Sequence, residues 1–133
     1  MRIYCDSAIL IYYFEGVPSF KARATSRMAV LWAAGDIMAI SDLVRLECRM
    51  QPIRLGNASQ LADYDNLFSQ PNVLRIPITT AVFDRATVIR AKHNFKLADA
   101  LHLAAAVEAG CDRFLTNDGR LSAFTDIAVE LLP

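Results

Sequence analysis

Four carboxylates carry the chemistry that this sequence suggests. Asp6 directly follows a short apolar run, Ile3-Tyr4-Cys5, and Asp118 comes two residues after another, Arg113-Phe114-Leu115-Thr116. Glu47 lies six residues after Ser41, and Asp99 stands at the start of a segment rich in alanine and leucine. Carboxylates brought close together repel, and they stay ionised only when a cation compensates them. An oxygen-only donor set suits the hard ions Mg2+ and Mn2+. Such an ion can acidify a water and neutralise a phosphodiester. Cysteine and histidine, which would point to zinc, do not cluster. Taken singly, each acid has a plain structural account. Asp6 could end a strand, Glu47 could face solvent, Asp99 could favour a helix N-terminus, and Asp118 could serve an Asn-Asp-Gly turn. Their joint placement is what argues for a site.

That placement depends on the elements around them. Ile3–Cys5 reads as a short buried strand and Ser7–Glu15 as a helix that stops near Gly16-Val17-Pro18. Ser19 is the expected cap of a second helix, Phe20–Ala34, ended by Gly35. Ile37–Ile40 reads as the next strand. Ser41 then caps a helix reaching about Arg49, with a break at Pro52 and Gly56-Asn57. Asn57–Phe68 reads as a helix, with Leu61, Tyr64, Leu67 and Phe68 on one face. Val73–Ile76 reads as a strand closed by Pro77. Thr79 or Thr80 opens a helix to about His93. Leu97–Ala109 is a strong helix ended by Gly110, followed by strands at Arg113–Thr116 and, at an edge, Ile127–Leu131.

Strands alternating with helices imply an α/β fold, a three-layer α/β/α sandwich around a mostly parallel five-stranded sheet. In such sheets, sites form beyond the carboxyl ends of the strands, where strand order reverses. Asp6 and Asp118 fall at two such ends. Glu47, ~9 Å along a helix that starts at the same edge, could reach back toward Asp6.

The chain has 133 residues, 54% of them hydrophobic, and no net charge. This suits one domain, residues 1–133, with a real core, and it argues against nucleic-acid binding by bulk charge alone. No apolar run reaches the length of a membrane helix, and the early Asp6 does not suit a signal peptide. The expected setting is therefore cytoplasmic. Cys5, Cys48 and Cys111 have no metal-knuckle spacing and read as buried free thiols.

The motifs resemble those of the PIN-domain family, and specifically of the VapC-type toxins. Ile3-Tyr4-Cys5-Asp6-Ser7 is similar to the family's strand followed by Asp-Ser or Asp-Thr. The stretch from Ser41 to Glu47 is similar to its Ser-x-x-x-x-x-Glu segment. Asp99-Ala100-Leu101-His102-Leu103-Ala104-Ala105-Ala106 is the most specific match, and Leu115-Thr116-Asn117-Asp118 resembles its Leu-Thr-Asn-Asp strand end. The resemblance implies a metal-dependent endoribonuclease in which Asp6, Glu47, Asp99 and Asp118 hold Mg2+ or Mn2+ for attack of water on an RNA phosphodiester. Asp6 and Asp99 would be the main ligands, while Glu47 and Asp118 could act through water. Ser7 and Thr116 match positions that hold the acids or water by hydrogen bonds. It further implies a homodimer, and a hetero-oligomer with a small VapB-like antitoxin whose tail covers the acidic site.

Other residues are open to two readings. His102, three residues after Asp99 and so on the same helix face, is a packed helix residue or a contributor to proton transfer. Lys21, Arg23 and Arg27, and likewise Arg45, Arg49 and Arg54, form either solvated faces or RNA contacts. Tyr12, Tyr13 and Phe14 read as core or interface, with base stacking as the alternative. Ala29–Ala34 with Trp32 is a docking groove or a core face. A receiver domain would need adjacent acids after the first strand, and a haloacid dehalogenase phosphatase would need Asp-x-Asp. Asp6-Ser7-Ala8 matches neither. A non-catalytic RNA-binding or scaffold PIN domain, and an RNA-processing nuclease without an antitoxin, remain as alternatives.

Overall fold

A computed structural model describes residues 1–133. The chain runs β1 (Arg2–Cys5), α1 (Ser7–Glu15), α2 (Pro18–Ala33), β2 (Ile37–Ser41), α3 (Asp42–Arg54) and α4 (Ala58–Phe68). It continues through β3 (Val73–Ile76), α5 (Thr80–Lys92), α6 (Leu97–Glu108), β4 (Arg113–Thr116), a 3-10 turn at Gly119–Ala123 and β5 (Ala128–Leu131). The sheet order is β3-β2-β1-β4-β5, and all four pairings are parallel. The expected sheet is thus wholly rather than mostly parallel. From β1 the chain first moves outward through β2 to β3, then crosses back to β4. Right-handed crossovers therefore put α1–α4 on one face and α5–α6 on the other. The strand order reverses between β1 and β4, the pair that carries Asp6 and Thr116 at its carboxyl ends.

Three helices end by the same device, and two of them lead straight into strands. Gly35 (φ 72°), Gly56 (φ 65°) and Gly110 (φ 66°) adopt the left-handed backbone that glycine takes without strain. Around them Asp36 N–H donates to Leu31 O, Asn57 N–H to Pro52 O and Cys111 N–H to Ala106 O, while each glycine N–H bonds one residue further along. These are Schellman closures, and those at Gly35 and Gly110 are the two that turn the chain into a strand.

Three boundaries differ from expectation. α2 begins at Pro18 with Val17 as its cap residue, not with Ser19. Proline at the first helical position loses only an N–H that would be unbonded there anyway. α3 runs through Pro52 to Arg54 instead of breaking. Pro52 forfeits one backbone bond, but it lies in the last turn, where a kink disturbs little further helix, and its ring is buried. The Asn117-Asp118-Gly119 turn continues into a 3-10 turn, which Asp118 caps through its side chain.

Thirty-three buried apolar residues form one cluster on both faces of the sheet. Tyr4 stacks on Phe114 at 5.1 Å. α6 is buried over seven consecutive residues, Ala100–Ala106, because it touches α3, α5, β2 and β4 at once. The Ala29–Ala34 stretch divides: Leu31 is buried and Trp32 half-buried, while Ala29, Val30, Ala33 and Ala34 are exposed. Cys5 and Cys48 are buried free thiols as expected, but Cys111 is only partly buried. No helix is long and apolar enough to cross a membrane.

Candidate active site

At the carboxyl edge of the sheet lies an open cleft of about 380 Å3. Asp6, Ser7, Tyr12, Glu47, Asp99, His102, Thr116, Asn117 and Asp118 all line it. The four acids arrive from four elements: the end of β1, the middle of α3, the first turn of α6 and the loop after β4. Each is seated differently.

Asp6 accepts a hydrogen bond from Thr116 Oγ1 at 2.8 Å across the strand reversal. Thr116 Oγ1 in turn accepts the Asp118 backbone N–H at 3.1 Å, so one hydroxyl ties two acid-bearing segments together. Glu47 Oε1 accepts from Ser7 Oγ at 3.1 Å and meets His102 Nε2 at 2.5 Å. The other ring nitrogen of His102 meets the Tyr4 hydroxyl at 2.7 Å, which meets Ser41 Oγ at 2.8 Å. An ionised carboxylate only accepts, so Nε2 donates to Glu47 whether the ring is charged or neutral, and in the neutral ring Nδ1 accepts from Tyr4. Tyr4 then accepts from Ser41, whose oxygen also accepts the Val44 N–H as cap of α3. Burial pushes the Tyr4 hydroxyl well above its usual range, which keeps it a neutral donor.

Burial acts to raise the Glu47 carboxyl, but the hydrogen bond and charge of His102 and the bond from Ser7 outweigh it and leave it low. Asp99 is raised by burial and by the charges of Asp6 and Asp118, against the opposing pull of Arg120 and His102. Its Oδ2 is buried without a hydrogen-bond partner. Asp118 is held low chiefly by hydrogen bonds from Arg120. The Arg120 Nη2 lies 2.5 Å from Asp118 Oδ2 and 3.5 Å from Asp99 Oδ2.

The donor set fits a hard divalent cation in kind: four carboxylates, one of them with an orphaned oxygen and a raised pKa. As the side chains stand, no three of them converge tightly enough to enclose an ion. Arg120 instead occupies the charge-compensating position beside Asp99 and Asp118.

The expected RNA-contact residues lie elsewhere. Lys21 is exposed on α2. Arg23 lies over the Phe20 ring at 4.6 Å and bonds Pro133 O. Arg45 and Arg49 pair with Asp42 and Asp65 on the α3 side, and Arg54 is exposed at the end of that helix. Arg27 departs from the expectation. Its side chain is 11% exposed and bonded to Glu130, so its charge is already paired on the sheet. Tyr12 lines the cleft, stacks on Phe20 and accepts from Asn117 Nδ2 at 3.3 Å. Tyr13 and Phe14 pack beside the core.

Sequence reasoning left His102 between two roles and gave Arg120 none. The signal for His102 was its spacing from Asp99. Nothing in the chain pairs Arg120 with Asp99, because the 3-10 turn that aims it has no helical or strand periodicity.

A family model described as PIN domain matches residues 3–127. The chain belongs to the PIN-domain family. Among curated proteins, none matches the chain by sequence. Solved structures share the PIN-type fold across the chain. A VapBC2 chain from Rickettsia felis, in a structure bound to a promoter DNA fragment, superposes at TM-score 0.81 with 15% identity, covering 100% of both chains. A DNA-bound VapBC chain from Salmonella typhimurium gives 0.79 with 16% identity, over 100% of this chain and 99% of that one. VapC20 of Mycobacterium tuberculosis, a sarcin-ricin loop cleaving toxin, gives 0.74 with 17% identity, over 95% and 98%.

Proposed function

We propose that this PIN domain is a divalent-metal-dependent endoribonuclease and the toxin of a toxin–antitoxin pair. The observation that carries the reading is the meeting of Asp6, Glu47, Asp99 and Asp118 in one cleft at the strand reversal. The toxin assignment draws on the similarity to VapBC and VapC chains over nearly the whole length. A small antitoxin covering this cleft, and a homodimer of the toxin, belong to the same proposal.

Asp6 and Asp99 would hold Mg2+ or Mn2+, with Glu47 and Asp118 contributing directly or through water. The ion would neutralise a phosphodiester and acidify an attacking water. The chain supplies the rest. Thr116 orients Asp6. Ser7 and His102 keep the Glu47 carboxylate ionised and aimed into the cleft. Asp99 offers an oxygen that no protein donor satisfies. The cleft opens to solvent, and Tyr12 provides an aromatic surface on its wall.

Asp99→Asn removes one ligand charge and keeps the volume. Wild type and Asp99→Asn are induced in separate cultures, and new RNA ends are mapped across the transcriptome. Discrete new ends with growth arrest in wild type alone are expected. Equal ends in both strains would sink the assignment of the site.

A further inference from the structure

We infer that Arg120 is a positioning residue of the acidic cleft: a tethered counter-ion that holds Asp99 and Asp118 together and competes with a divalent cation for them. The inference rests on reading the cleft as a divalent-metal site. Its geometry is specific. The Arg120 Nε donates to both Asp118 oxygens at 3.0 and 3.2 Å, and Nη2 donates to Oδ2 at 2.5 Å. The same Nη2 stands 3.5 Å from the buried, otherwise unpartnered Oδ2 of Asp99. One guanidinium thus spans two of the four acids.

The turn does not need that guanidinium. Its backbone is closed by Arg120 N–H to Asp118 Oδ1 at 3.0 Å and by Leu121 N–H to Asp118 O at 3.2 Å. Buried Leu121 and Phe124 anchor it from below. The Arg120 side chain is 57% exposed, so no apolar burial draws it inward. What holds it over the cleft is charge. A divalent cation seated on Asp6 and Asp99 meets a positive group within a few ångströms. Repulsion at that range, even screened by water, is worth about tenfold in affinity. An exposed arginine can withdraw to solvent, so binding remains possible but weaker.

The test titrates Mn2+ into metal-free wild type, Arg120→Gln, Arg120→Lys and Asp99→Asn by calorimetry, and measures Tm in chelator and at saturating Mn2+. Arg120→Gln should bind Mn2+ about tenfold more tightly. It should melt lower than wild type in chelator and recover at saturation. Arg120→Lys, which keeps the charge, should stay near wild type. Equal or weaker binding by Arg120→Gln overturns the inference, as does a Tm deficit of the same size with and without Mn2+, which would mark a purely structural arginine. Binding by wild type that Asp99→Asn loses, with Arg120→Gln unchanged, refutes the role of Arg120 alone. No Mn2+ binding by wild type refutes the metal reading and this inference with it.

Discussion

Asp6, Glu47, Asp99 and Asp118 carry the same charge in four different surroundings, and the differences divide their work. Glu47 is supported by Ser7 and by the Ser41–Tyr4–His102 chain, and Asp6 by Thr116. Asp118 is neutralised by Arg120, and Asp99 is left with an unpartnered oxygen. Hydrogen bonds behind a ligating carboxylate typically carry 10–100-fold in metal affinity or activity. If the cleft is the proposed metal site, His102→Ala should weaken Mn2+ binding and cleavage by about that factor. In a double-mutant cycle with Glu47→Gln the losses should not add, because the histidine acts through the glutamate. Additive losses would show that His102 works independently. The spacing of Asp99 and His102 was readable from the sequence, but the partner of the histidine was not. It comes from α3, 55 residues earlier in the chain, and nothing local links the two.

α6 carries Asp99 and His102 on a helix buried almost all round, so the precision of the site depends on how that helix packs. Leu103 is fully buried, whereas Leu97 in the same helix is 55% exposed. Leu103→Ala should cost about 2–5 kcal/mol of unfolding free energy, and Leu97→Ala no more than about 0.5 kcal/mol, as read by urea denaturation. Similar costs at both positions would contradict this account of the packing. Most elements were legible because they announce themselves locally, through glycine at helix ends, Ser41 at a cap and apolar runs for buried strands. The exceptions have physical reasons. Pro52 was read as a break, yet it falls in the last turn, where a kink disturbs little further helix, and its ring gains burial. Ser19 was read as a cap, yet Pro18 was already suited to the first helical position.

Across the whole molecule, the sheet holds one strong charge cluster away from the cleft. Glu130 on β5 accepts from Arg27 Nε at 2.6 Å, Arg27 Nη2 at 3.2 Å and Arg113 Nη1 at 3.2 Å. The bond from Arg27 leads in holding the Glu130 carboxyl below its ordinary range. A carboxyl lowered in the folded state adds stability above its unfolded pKa and loses it as pH falls through the folded value. Glu130→Gln should thus cost about 2–3 kcal/mol at neutral pH, because it leaves Arg27 buried with a poorer partner. The gap to wild type should close on acidification below about pH 4. A gap that stays constant with pH would remove the ion pair from the account. Asp99 runs the other way: raised in the folded state, it opposes folding at neutral pH and ceases to do so when protonated.

By itself the sequence determined the alternation of strands and helices, the identity of the acids and their places on those elements, because those follow from local pattern and short-range capping. Only the tertiary structure decided what faces what. It joined Tyr4 and Ser41 to His102 and Glu47, took Arg27 into the sheet with Glu130 and laid Arg120 across Asp99 and Asp118. Apart from the Arg120–Asp118 pair, each of these contacts joins residues that are distant in the chain. Strand order and crossover hand bring them together, and no period or spacing along the chain encodes the meeting.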